Sequence, residues 1–220
     1  MSLAIVLISG GLDSCVAAAI AALDHDLAFL HLSYGQRTQE RERQAFNAIA
    51  DYYQVKQRLS VDVSYMRQIG GSSLIDPNLP VPVEHLDTEG IPTTYVPFRN
   101  ANILGIGVAW AETIEAGHVF IGAHEVDAAY PDCRKSFFAA YNEMVATAIC
   151  PDRSIQVQTP LIALDKSAII RRGLELHAPL HLTWSCYQNQ EKACGRCHSC
   201  QLRRHGFRKA GLEDPLLHER

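Results

Sequence analysis

The sequence contains no apolar run approaching the roughly 18 residues that span a bilayer, which excludes a transmembrane helix. Its start, residues 1–11, has no basic segment, and the apolar stretch breaks after Ile8, too short for a secretory core. A cytoplasmic protein is expected. Positive charge is in deficit, since 20 Lys and Arg stand against 24 Asp and Glu for a net charge of -4. No basic field exists to hold nucleic acid, so neither nucleic acid nor membrane is expected as a direct partner. Internal repeats and low-complexity tracts are absent. With 47% hydrophobic and 20% charged residues, the chain is neither disordered, collagen-like nor a coiled coil. What remains is a globular chain of 220 residues, room for one large domain or one domain with a small appendage.

Cysteine is the residue in surplus. Seven occur, and four of them, Cys186, Cys194, Cys197 and Cys200, fall within fifteen residues. In a reducing compartment such cysteines are metal ligands, catalytic groups or packing residues sooner than disulfide partners, and the odd total agrees. Four thiolates fill the tetrahedral shell of Zn²⁺ and leave no open position, the arrangement of a structural site. The same CxxCxxC spacing also suits an iron–sulfur cluster. Zinc is the expected ion, because the polar flanks speak against simple core packing.

Hydrophobic patterning predicts strands over 3–8, 27–32, 57–63, 119–123 and 155–160. Helices are predicted over 13–23, 40–53, 100–116, 136–149 and 165–176. This alternation implies an α/β fold, a parallel sheet with helices on both faces. Residues 66–97, with five prolines and three glycines, read as a long loop insertion. After Trp184 the composition turns to Cys, Gly, Arg, His and Gln. The expected division is an α/β domain over 1–180 and a zinc-binding appendage over 181–220.

The string Ser9-Gly10-Gly11-Leu12-Asp13-Ser14 follows the first strand and opens the first helix. Two glycines clear the way for an anion to reach the backbone N–H groups, and a helix start favours negative charge. The loop has neither the lysine and spacing of a Walker A motif nor a GxGxxG pattern. An ordinary strand-to-helix turn with a Ser or Asp cap is the plainer reading. Further along, Arg99 and Asn100 enter a helix and would sit beside a ligand at the sheet edge. Asp127 is an acceptor suited to a guanine-like N–H edge, and Arg134 suits a carboxylate or phosphate. Lys166 is a candidate phosphate contact. Cys133 lies in the same segment as Asp127 and Arg134, with no base identifiable beside it.

SGGLDS resembles the pyrophosphate loop of the N-type ATP pyrophosphatases. Together with SYGQRT, TTYVPFRN, YPDCR, TPL and SCY…CGRCHSC, it occurs in the order seen in the 7-cyano-7-deazaguanine synthase family of queuosine biosynthesis. The likeness covers nearly the whole chain. It implies an adenine-nucleotide α-hydrolase-like fold, usually as a homodimer, that turns 7-carboxy-7-deazaguanine and ammonia into the 7-cyano product with ATP. By the same resemblance ATP, with Mg²⁺, would lie on Ile8, Ser9, Gly10, Gly11, Leu12, Asp13, Ser14, Cys15, Val16, Ala17 and Ala18, and the four clustered cysteines would hold zinc. Asp13, Lys166 and Arg134 are then the expected catalytic groups. Arg99, Asn100, Asp127, Tyr130, Asp132 and Arg134 are the expected substrate contacts. Two positions depart from the family pattern: Phe98 replaces a small residue, and Thr38 replaces a frequent histidine. They leave open a paralogue that adenylates another carboxylate. A non-catalytic zinc module is the alternative of a different class.

Overall fold

The computed structural model describes residues 2–83, 90–126 and 130–216. Its strands are β1 (Ser2–Leu7), β2 (His25–Ser33), β3 (Gln57–Asp62), β4 (His118–Ile121) and β5 (Gln156–Gln158). Its helices are α1 (Leu12–Ala21), α2 (Gln39–Tyr52), α3 (Met66–Ile69), α4 (Arg99–Ile114), α5 (Lys135–Ala148), α6 (Lys166–Glu175) and α7 (His198–Ala210). The strands form one sheet in the order β3-β2-β1-β4-β5, and every neighbouring pair is parallel. The expected α/β class holds. Among the described residues, no helix is long and apolar enough to cross a membrane.

Because β1 is central, both of its faces are covered, which explains a continuous apolar run in place of an alternating one. Ile5 and Leu7 join a core with residues of α4 and α5, while Ala4, Val6 and Ile8 join a second core with α1, α2 and α6. Edge strands β3 and β5 are correspondingly polar.

Residues 66–97 hold one short helix and turns in their described part, yet they are packed. Ser72, Ser73, Leu74, Ile75, Thr94 and Val96 are buried. Arg37 binds this segment through its guanidinium, donating to the carbonyls of Ser73 (2.9 Å), Asp76 (2.7 Å) and Leu79 (2.6 Å).

Helix α7 has no counterpart among the predicted elements. It buries Cys200, Arg203, Gly206 and Phe207. A Cβ on Gly206 would lie 2.5 Å from Lys166 Cγ, so this glycine lets α7 close onto α6. Asp165 caps α6 through the Ala168 N–H at 2.8 Å and also receives Lys209 Nζ of α7 at 2.7 Å. The C-terminal helix therefore lies directly against the residue that opens α6.

Candidate functional site

Strand order reverses between β1 and β4, the place where open parallel sheets bind ligands at their carboxyl ends. A cleft of about 980 Å³ opens there, the upper end of the usual range for small-molecule sites. Ser9, Asp13, Arg99, His124, Lys166 and Trp184 are among its walls. Gly122, just past β4, makes the junction possible: a Cβ there would lie 2.6 Å from Asp13 C and 2.7 Å from Ser14 N.

The loop from β1 into α1 is braced from outside. Trp184 N–H donates to the Gly10 carbonyl at 2.8 Å, and Gly10 takes a positive φ of 84° that only glycine adopts without strain. Ser14 Oγ donates to the Gly11 carbonyl at 2.9 Å and lies 3.2 Å from Ser9 Oγ. Gly11 occupies the N-cap position of α1, where no side chain caps the helix. The amides of this first turn are thus not covered by a cap from their own sequence, and their dipole faces the cleft wall.

Lys166, the first residue of α6, reaches Asp13 across 153 residues of sequence, with Nζ 2.6 and 2.7 Å from its two carboxylate oxygens. His124 Nε2 lies 3.4 Å from the same Nζ and 3.5 Å from Asp13 Oδ2. Burial alone would raise the Asp13 pKa, but the Lys166 charge and His124 outweigh it and hold the carboxyl well below its ordinary value.

At the other end, Arg99 Nη1 lies 3.4 Å from Tyr34 Oη, and its guanidinium sits 5.5 Å from the Tyr34 ring centroid. Tyr130 Oη lies 2.7 Å from Thr94 Oγ1, and the residue lines the cleft. Asn100 and Asp132 bind each other. Asp132 accepts from the Asn100 backbone N–H at 2.9 Å and so caps α4 from a distant segment, while Asn100 Nδ2 donates to the Asp132 carbonyl at 2.8 Å. Burial pushes the Cys133 thiol up to about 11, which suits packing and not nucleophilic attack. Arg134 is exposed at the start of α5, outside the described cleft lining. Asp127 lies outside the described residues. Phe98 is 62% exposed and does not narrow the cleft, whereas Thr38 is buried and donates to Glu42 at 2.7 Å.

The ligand atoms of Cys186, Cys194, Cys197 and Cys200 all lie within 4.8 Å of one another. The N–H groups of Gln188, Asn189 and Cys194 point at Cys186 Sγ from 3.3–3.4 Å, the bonding that a thiolate accepts. Three of the four cysteines are buried beside Trp184 and Val81. A soft tetrahedral ion such as Zn²⁺ fits this donor set, with no position left for substrate. The Trp184 indole N–H donates to the Cys186 carbonyl at 3.1 Å, while the Trp184 backbone N–H holds Gly10. One residue thereby links the cysteine cluster to the glycine loop.

The family model described as "Queuosine biosynthesis protein QueC" matches residues 3–211. The chain belongs to the QueC family. It is 50% identical over 218 residues to a 7-cyano-7-deazaguanine synthase of Chlorobium chlorochromatii (98% of this chain, 96% of that one). It is 49% identical over 215 residues to the protein of that name from Chloroherpeton thalassium (97% and 95%). Kinship at this level makes the chain an enzyme of that kind. Two solved structures share the fold at 15% identity. One is a predicted tRNA methyltransferase subunit from Methanocaldococcus jannaschii, with a TM-score of 0.52 over 100% of this chain and 93% of the other. The second is the NMN synthetase of Francisella tularensis, with a TM-score of 0.50 over 96% and 78%.

The structure brings Asp13, Lys166, Arg99, Asn100 and Tyr130 to one cleft and leaves Arg134 outside it. His124, Glu42 and Trp184 line it too, and no role was assigned to them from the sequence. For His124 the signal was available: it sits just beyond the carboxyl end of β4, at the strand-order reversal.

Proposed function

We propose that this enzyme converts 7-carboxy-7-deazaguanine and ammonia into 7-cyano-7-deazaguanine, consuming ATP, in the cytoplasm and as a homodimer. The observation that carries the reading is the Asp13–Lys166 pair set under the uncapped start of α1, in a chain half identical to synthases of that name. A carboxylate has no good leaving group, so ammonia cannot displace its oxygen unaided. Attack of the carboxylate on the α-phosphorus of ATP releases pyrophosphate and makes AMP the leaving group. Ammonia then expels AMP and gives the amide. A second adenylation, on the amide oxygen, releases another pyrophosphate, and loss of AMP together with both N–H protons forms the nitrile.

The amides of Leu12, Asp13 and Ser14 with the Ser9 and Ser14 hydroxyls would take the pyrophosphate, and Lys166 would offset its growing charge. Mg²⁺, when bound with ATP, would supply further charge neutralisation, and Asp13 is the carboxylate placed to hold it. Arg99 is the guanidinium inside the cleft and is suited to the substrate carboxylate. Arg134, exposed beyond the cleft, is given no step. The four cysteines would hold zinc as a structural ion, so that residues 181–220 serve as a stapled wall for the ATP-binding part over 1–180.

The test is incubation with ATP, ammonium and 7-carboxy-7-deazaguanine, with mass detection of products. Nitrile with two AMP and two pyrophosphate per turnover is expected. No nitrile, or ADP and phosphate in place of AMP and pyrophosphate, overturns the reading.

A further inference from the structure

Two carboxylates that line the cleft, Glu42 and Glu125, have no part in the chemistry above. Glu42, in the first turns of α2, is half-buried and faces the cleft. Its two oxygens are separately held: Oε1 accepts from Thr38 Oγ1 at 2.7 Å and Oε2 from Gln36 Nε2 at 2.9 Å. Both partners are themselves buried, Gln36 at 5% and Thr38 at 1% exposure. Gln36 is oriented in turn, because its Oε1 accepts the Tyr34 backbone N–H at 2.8 Å, which turns its amide nitrogen toward Glu42. The carboxylate plane is therefore fixed by these two neutral donors before any ligand arrives. Each oxygen retains capacity for a further hydrogen bond.

The neighbourhood locates this group relative to the chemistry. The main-chain oxygen of Glu42 abuts the glycine loop, 2.6 Å from where a Cβ on Gly10 would lie. Burial raises the Glu42 pKa above its ordinary value, opposed by the Thr38 and Gln36 hydrogen bonds and by the Arg99 charge, and Tyr34 forms part of the same wall. Asp13, in contrast, is engaged by Lys166 and is the carboxylate given to Mg²⁺ in the reaction above. Glu125 is exposed and accepts the Lys135 N–H at the start of α5.

A 7-deazaguanine presents two parallel N–H donors, at N1 and at its 2-amino group, along one edge of a flat ring. Two carboxylate oxygens match that pair one to one. We propose that Glu42 is the specificity-determining acceptor for this edge, each of its oxygens receiving one substrate N–H. The inference rests on the reaction proposed above and assigns its base-recognition group. Glu42 binds the substrate's far edge and touches no reacting atom.

The experiment compares wild type and Glu42→Gln on 7-carboxy-7-deazaguanine and on its analogue lacking the 2-amino group. Wild type should prefer the amino substrate in kcat/KM by about 10- to 100-fold, the usual loss for a hydrogen bond to a charged acceptor. Glu42→Gln should lose most of that factor on the amino substrate and shrink the preference to within about threefold. Its KM for ATP should stay within about threefold of wild type. A parallel loss on both substrates, with the preference kept, overturns the inference, since a residue that merely braces α2 would behave so. Wild type that makes nitrile but treats both substrates alike overturns it without any variant and leaves the reaction standing. Wild type that makes no nitrile overturns the reaction and this inference together. Should Glu42→Gln fail to fold, Glu42→Asp, which withdraws the carboxylate by one methylene, takes its place with the same expected loss of preference.

Discussion

Lys166 Nζ bridges both carboxylate oxygens of Asp13, at 2.6 and 2.7 Å, and so ties the first helix of the chain to the sixth. The lysine is 8% exposed, which makes the pair a poor surface ornament and a good cleft anchor. Lys166→Met removes a charge aimed at the site where pyrophosphate charge would grow. A fall in kcat of about 100-fold or more is expected, the scale seen when a preorganised electrostatic contact is deleted. Steady-state kinetics with ATP varied will check it, and a change under threefold would remove Lys166 from the mechanism.

Gly122→Ala tests the junction between β4 and α1. The added carbon would lie 2.6–2.8 Å from three backbone atoms of Asp13 and Ser14, none of which is a flexible side-chain tip. The loop must shift, with an expected destabilisation of about 1–3 kcal/mol for overpacking. KM for ATP should rise because the displaced atoms belong to the expected phosphate cradle. Denaturant unfolding and initial rates together read both effects.

The four-cysteine centre leads to a different expectation. A closed thiolate shell has no open position for substrate, so replacing zinc by cadmium or cobalt should leave kcat within about threefold. Cys197→Ala should abolish stoichiometric metal binding and lower the melting temperature, because metal binding energy is folding energy in such sites. Metal analysis and thermal unfolding measure both. Since Trp184 joins this centre to Gly10, loss of the metal should also weaken ATP binding.

Much of this architecture was legible in the residues. The unbroken apolar run of β1 announced a strand covered on both faces, and the polar edge strands follow from the same logic. The Ser9–Ser14 loop and the cysteine spacing each carry their chemistry locally, so no tertiary information was needed to find them. Helix α7 was hidden because its buried face includes Arg203, whose charge masks the apolar pattern. In the fold that guanidinium is 2% exposed and is satisfied by Asp214 at 2.9 and 3.0 Å and by Thr183 at 2.7 Å. Glu42 was hidden for a related reason: it lies among charges at the start of α2 that read as a solvated face. Asp132 has the residue type of a substrate contact, but only the fold shows its carboxylate on the Asn100 N–H. Contacts between distant segments decide such cases, and a single sequence does not display them.

His31 gives the expectation for pH. It is fully buried on β2, stacked on Phe46 at 5.1 Å between ring centroids, with Nδ1 2.9 Å from the Ile8 carbonyl. A carbonyl only accepts, so Nδ1 carries the proton. Nε2 is buried without a hydrogen-bond partner among the described residues, and a second proton there would be an orphaned donor. Burial, with the Arg43 charge adding to it, depresses the pKa below the ordinary 6.5 despite the Ile8 contact. The unfolded chain then binds a proton near pH 6.5 that the folded chain refuses, so stability rises with pH across the interval below that value and is lost as pH falls through it. His118, lowered by burial and by His25, acts in the same direction. The melting temperature should therefore drop on acidification from pH 7 to pH 5, and His31→Gln should flatten part of that slope. Because His31 holds the carbonyl that leads into the glycine loop, the variant should also raise KM for ATP at pH 7.5, where the wild-type imidazole is already neutral. Thermal unfolding across pH, set beside ATP kinetics at fixed pH, separates the two effects, and an unchanged slope would mean that His31 titrates normally in the fold.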